Sequence, residues 1–300
     1  MATPVVIVLL TLEEVGVMAD PKTGRSEGLG PDDGTTSATR GNWAARHDLL
    51  LYFILAYALS WALWPLVILN PTSSPLVPFG PLIAAVVVSL LAGGRKELLA
   101  LLRQLTRWRV HPIWYVIALL GPFVMAVVAA ALAVATGASM LRSGAYTDLG
   151  AVGFTFLSTM IIVGLFEEVG WRGFALPRLQ RRLDALWAAL VLGVIWALWH
   201  LPELISDPTR QRPPLQFVLW ALALSVIFTW LYNSTNGSLP IVIICHAAID
   251  TAGRYMLPEF SNASYQVVWW FMVGLYVLIA VIVVLVAGPK RLVTRIPRRS

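Results

Sequence analysis

Two adjacent glutamates, Glu167 and Glu168, stand four to five residues ahead of Arg172 inside an apolar stretch of the sequence. Two histidines fall in later apolar stretches. His200 closes the run Trp196-Ala197-Leu198-Trp199-His200-Leu201-Pro202, and His246 lies four residues before Asp250. Carboxylates and imidazoles together can take a proton from water and return it to a leaving group. On a helix, Glu168 and Arg172 are at i, i+4 with the acid first, the favourable order for an ion pair. Glu167 then points about 100° away around the same helix and keeps no cation, which makes it the candidate general base. His246 and Asp250 share a helix face, and an acid one turn from a histidine can fix its tautomer. A purely structural alternative has both glutamates neutralising local cations and holding helices together.

The elements that carry these residues are membrane spans. The chain of 300 residues is 58% hydrophobic and only 13% charged, with a mean hydropathy of +0.75, whereas soluble domains carry about 25% charged residues. Apolar runs of about 18 residues or more recur, and in a bilayer such runs must be helices, because every backbone polar group needs an internal partner. The expected class is an all-α membrane protein with about eight transmembrane helices around a polar intramembrane chamber. The spans are placed at 49–69, 76–92, 113–136, 151–180, 183–202, 214–233, 238–257 and 265–287. Residues 1–46, rich in Gly, Asp, Thr and Ser, are expected to form a disordered cytoplasmic extension. Residues 47–288 form the transmembrane domain, with its core motifs in 150–255, and 289–300 a basic cytoplasmic tail.

A charged side chain near the bilayer centre costs about 2.5 to 3.5 kcal/mol, so three acids, two histidines and Arg172 within spans need partners or a purpose. The net charge of +6 does not point to nucleic acid, because the cations sit in short loops and in the tail Lys290, Arg291, Arg295, Arg298 and Arg299. Between the second and third spans, residues 95–109 mix cations with leucines at helical spacing, which predicts an amphipathic helix on the membrane surface. Its five cations mark the cytoplasmic side. Threading the chain from there puts both termini in the cytoplasm and the loops 137–150 and 203–213 outside. Trp61, Trp64, Trp108, Trp114, Trp187, Trp220, Trp230, Trp269 and Trp270 lie near span ends and are expected first as interfacial belt residues. Cys245 is the single cysteine, expected to serve packing.

Helix rise decides whether the polar groups can meet. His200 lies about 25 Å along its span, at about 1.5 Å per residue. A fourth span ending at Glu168 would put Glu167 at the opposite membrane face. Continuing that helix through Arg172 to about Gln180 brings Glu167 to the level of His200, leaves Arg178, Arg181 and Arg182 at the headgroups, and requires a helix that tolerates a kink at Pro177.

Taken in order, Glu167-Glu168-x-x-x-Arg172, Trp196-x-x-x-His200 and His246-x-x-x-Asp250 resemble the three motifs of the CAAX prenyl protease and bacteriocin-processing family, also called Abi. The words Gly173-Phe174-Ala175-Leu176-Pro177 and Ala197-Leu198-Trp199-His200-Leu201-Pro202 are similar to that family as well. The resemblance implies an intramembrane endopeptidase in which Glu167 and His200 activate a water, His246 and Asp250 line the oxyanion side, and Glu168 and Arg172 support the site. Trp196 stands where the family usually has Phe, read here as a change of wall shape more than of chemistry. Asp250 is a variant of an Asn, and an ionised Asp cannot donate to an oxyanion. It is therefore either protonated or orients His246.

A zinc-dependent form of the same protease is the nearest alternative, since two histidines and two glutamates can supply an N/O ligand set. With no His-Glu-x-x-His word, a cofactor-free glutamate mechanism is preferred. No Gly-x-Ser-x-Gly or Gly-x-Gly-Asp word occurs to suggest a serine or aspartyl enzyme. Non-enzymatic readings are a proton-coupled transporter with a carboxylate–histidine relay and a bacteriocin-immunity membrane protein. The expected partners are membrane lipid and a membrane-associated peptide or protein substrate, without nucleic acid. The expected location is a bacterial cell membrane.

Overall fold

The computed structural model describes residues 43–65, 76–140, 147–206, 213–257, 260 and 262–296. Among these the chain is all-α. Eight helices follow the expected spans: α1 Asp48–Trp61, α2 Gly80–Leu102, α3 Ile113–Ala135, α4 Leu149–Leu179, α5 Ala185–Trp199, α6 Pro214–Ser234, α7 Leu239–Met256 and α8 Asn262–Ala287. Four helices are long and apolar enough to cross a membrane: α3, α4, α6 and the Ser264–Ala287 part of α8. Helices α1 and α5 are apolar but shorter. Helix α7 carries His246, Asp250 and Arg254, and the second half of α2 carries Arg95, Lys96 and Glu97, so both fall short in hydropathy rather than in place. The expected disordered extension lies outside the described residues up to residue 42, and Trp43–Arg46 forms a single helical turn.

Helices α5 and α8 flank α6, α3 packs on α7 and α8, and α4 threads between α2 and α7. Glycines allow the tightest of these approaches. A Cβ on Gly170 would come within 2.6 Å of the Pro81 carbonyl, so α4 meets α2 almost backbone to backbone.

The amphipathic segment is not a separate surface helix. Helix α2 runs through it, bent at Gly94, whose φ of 63° and ψ of −152° favour a residue without Cβ. Beyond the bend Leu101 and Gln104 turn into the protein, while Arg103, Arg107, Trp108 and Arg109 face outward. Arg107 donates to the carbonyl of Asn236 at 2.6 Å, and Ser238 donates to the Arg107 carbonyl at 2.7 Å. These bonds pin the segment to the α6–α7 turn.

Helix α4 extends to Leu179, as the depth estimate requires, but not as a plain α-helix. It widens into π-helical turns at Met160–Gly164 and Val169–Ala175, on either side of the glutamates. Pro177 lacks an N–H, which deprives the carbonyl four residues back, Gly173, of its helical partner. Gln104 donates to that carbonyl at 3.0 Å and accepts from the Tyr232 hydroxyl at 2.6 Å. Gln104→Leu is therefore expected to destabilise the protein by about 1–3 kcal/mol, the cost of a buried acceptor left unmade. Denaturant unfolding in detergent would measure this, and an unchanged midpoint would contradict it.

Arg178 does not share the exposure of Arg181 and Arg182. It is buried, donating to Asp48 at 2.5 Å and to Glu97 at 3.3 Å, and ties α4 to α1 and α2. The belt reading of the tryptophans also divides. Trp108, Trp187 and Trp270 are exposed, whereas Trp114, Trp220 and Trp269 are buried in the bundle. Cys245 is buried.

Candidate active site

The site is assembled by α4, α5 and α7 around a cavity of about 700 Å³. Glu167, Trp196, His200, His246 and Asp250 line it, with Phe217, Trp220, Phe228 and Trp269 among the walls. Glu168 and Arg172 are absent from the lining and lie behind it, wholly buried.

Glu168 is the junction of that inner layer. One of its oxygens, Oε1, accepts from Arg172 at 2.8 Å and from His246 Nδ1 at 2.6 Å. Arg172 is thereby paired as its i, i+4 spacing predicts. Its guanidinium also lies 4.8 Å from the Trp196 ring centroid and 4.5 Å from that of Phe228, so aromatic faces supply the attraction that water would give at a surface. His246 stacks against the same Phe228 ring at 5.7 Å.

His246 is held differently from expectation. A carboxylate accepts only, so His246 Nδ1 carries a hydrogen toward Glu168. Asp250 Oδ2 lies 3.7 Å from Nε2, beyond a hydrogen bond, with its side chain 37% exposed. The tautomer is therefore set by Glu168 on α4, not by Asp250 one turn away. Asp250 instead places a negative charge beside Nε2.

His200 uses the end of its own helix. Its backbone N–H turns to the Ala197 carbonyl at 3.2 Å, and Nδ1 donates to the Trp196 carbonyl at 2.9 Å. The last carbonyls of a helix need such partners, and this bond fixes the ring at the end of α5. Helix α1 steadies the same end: Tyr57 and Trp61 donate to the carbonyls of Ile195 and Trp199, and Trp64 donates to Ser206 at 3.0 Å.

Glu167 is not without a partner. Trp196 Nε1 donates to its Oε2 at 2.8 Å. Trp196 is thus a hydrogen-bond donor to the candidate base, and the reading of it as a mere wall is corrected, because phenylalanine offers no N–H. Replacing it tests this: Trp196→Phe keeps a ring over Arg172 but loses a hydrogen bond to a carboxylate. It is expected to lower kcat about ten- to hundredfold with KM little changed. An unaltered kcat would contradict a positioning role.

Among the described residues, no group of three or more His, Cys, Asp or Glu side chains converges as metal ligands. Glu168 Oε1 is committed to Arg172 and His246, and the two imidazoles each spend Nδ1 on a protein acceptor.

Residues 149–252 match the model of a protein family described as Type II CAAX prenyl endopeptidase Rce1-like. That stretch holds all seven motif residues, Glu167, Glu168, Arg172, Trp196, His200, His246 and Asp250. The motif-bearing segment belongs to this family. A CAAX prenyl protease 2 of Methanococcus maripaludis is 31% identical to the chain over 102 residues, covering 31% of this chain and 38% of the relative. The likeness to the prenyl endopeptidases thus spans well under half of either protein and coincides with α4 to α7, four of the helices that line the cavity.

Sequence reasoning missed two further residues of the CAAX-endopeptidase-like cavity. Glu203 lines it from the turn after α5, and Arg254 from α7, two turns beyond His246. The i, i+4 spacing from Asp250 to Arg254 was a signal available for the second. Glu203 lies past the end of an apolar run, where an acid carries no desolvation argument.

Proposed function

We propose that the chain is an intramembrane endopeptidase that hydrolyses a peptide bond of a membrane-associated peptide or protein, without a metal, through water activated by Glu167 and His200. The observation that carries this reading is the division of the polar residues. Glu167, His200 and His246 face one cavity, while Glu168 and Arg172 stand behind it and hold His246 in place.

In this mechanism, Glu167 takes a proton from a water that it shares with the His200 imidazole. The nascent hydroxide adds to the peptide carbonyl carbon and makes an oxyanion. With Nδ1 committed to Glu168, His246 offers a donor at Nε2 as the imidazolium, and Asp250 at 3.7 Å balances its charge. This gives an ionised Asp250 a role that requires no donation. Collapse of the intermediate breaks the C–N bond, and the proton held by Glu167 passes to the leaving amine. Exclusion of water strengthens each of these electrostatic contacts. The protein sits in a cell membrane with both ends on the cytoplasmic side.

Purified protein incubated with a library of membrane-tethered peptides is expected to yield new termini by mass spectrometry, equally with and without a zinc chelator. Activity lost to the chelator and restored by zinc would replace the mechanism with the metal one. Absence of cleavage across the library would favour the transporter or immunity readings.

A further inference from the structure

The two ends of the bundle differ in a way that bears on where a substrate enters. The cavity's outer residues come from helix ends that lie together. Leu76 and Pro78 precede α2, Glu203 follows α5, Phe217 is in the first turn of α6, Leu257 closes α7 and Tyr265 opens α8. Contacts confirm that these termini form one end of the molecule: Ser139, past α3, donates to Ser264 at 2.8 Å, and Trp64, past α1, donates to Ser206.

The other end is closed and basic. There the bent segment after α2 is bonded to the α6–α7 turn, and the residues after α8 fold back onto α5 and α6. Ala185 donates to the Lys290 carbonyl at 3.0 Å, Asn233 to the Arg291 carbonyl at 2.8 Å, and Trp230 to Thr294 at 2.9 Å. Arg95, Lys96, Arg103, Arg107, Arg109, Arg178, Arg181, Arg182, Lys290, Arg291 and Arg295 all belong to this end. At the open end the structure places Arg254 alone among the described cations. In sequence, the connections there add Arg142, Arg210 and Arg212, against the eleven Lys and Arg residues named at the other end.

Lys and Arg in short loops remain on the cytoplasmic side. We infer that the cavity opens on the extracytoplasmic side, so that its substrate is a peptide segment presented at the outer leaflet rather than a tail delivered from the cytoplasm. The word substrate rests on the endopeptidase reading; the direction of opening does not. The substrate class it selects is an exported or translocated membrane-anchored chain, whose scissile bond enters between α5, α7 and α8 past Glu203 and Arg254. Thr159 and Val163 of α4 form the facing wall.

Single-cysteine reporters test the direction independently of any activity. Cys245 is buried, so the full-length chain can carry either Ser139→Cys at the open end or Arg109→Cys at the closed end, both at exposed positions. A membrane-impermeant maleimide applied to intact cells is expected to label Ser139→Cys and to leave Arg109→Cys unlabelled until the membrane is permeabilised. Labelling of Arg109→Cys from outside, alone or together with Ser139→Cys, overturns the inference. Because the readout is accessibility, a protein with no peptidase activity would still report the direction.

Discussion

Glu167→Gln is expected to lower peptide cleavage by about 10²–10⁴-fold, the range attributed to a general base, while leaving the fold intact. The substitution is nearly isosteric and keeps a carbonyl oxygen able to accept from Trp196 Nε1, so the 2.8 Å bond that positions the side chain survives. What is lost is the proton acceptor. Kinetics on a tethered peptide would show the loss in kcat, with KM and the unfolding midpoint near those of the parent. A Glu167→Gln protein cleaving at the parental rate would remove Glu167 from the chemistry.

The largest stability effect belongs to Glu168. Glu168→Ala leaves the Arg172 guanidinium in a site with no exposure and without its 2.8 Å acceptor. Breaking a buried pair from one side costs about 3–5 kcal/mol, whereas replacing both members with apolar groups is often close to neutral. Thus Glu168→Met with Arg172→Met is expected to recover most of the stability that Glu168→Ala loses. Activity should not return in the double variant, because His246 still lacks the acceptor for Nδ1. Unfolding and cleavage measured on the same preparations separate the two effects. If the double variant were as unstable as the single one, the ion pair would not be the source of the loss. If it regained activity, Glu168 would not position His246.

Much of this arrangement was legible from spacing. The i, i+4 pair of Glu168 and Arg172 and the helix rise were enough to place the candidate base level with His200 and to require a fourth helix running past Arg172. The spans were legible because apolar runs in lipid have few alternatives to helix. What stayed hidden depended on contacts between helices. Nothing local to Trp196 says that its N–H meets a carboxylate 29 residues earlier in the chain, or that Glu168 rather than Asp250 sets the tautomer of His246. Gln104 looked like one polar residue in a basic surface helix. Its bond to Gly173 follows from the donor that Pro177 lacks, which was readable, but the partner was not. Trp220 and Trp269 sit near helix ends as belt residues do, and only the packing of α6 against α8 turns them toward the cavity.

The central claim, that Glu167 directs a water onto the peptide carbonyl, is tested most directly by a single turnover in ¹⁸O-labelled water. Label is expected in the new carboxyl terminus of the product in the first turnover, and none in a peptide containing Glu167. An unlabelled first product with the label instead appearing on Glu167 would show a covalent acyl-enzyme, and would contradict the water mechanism.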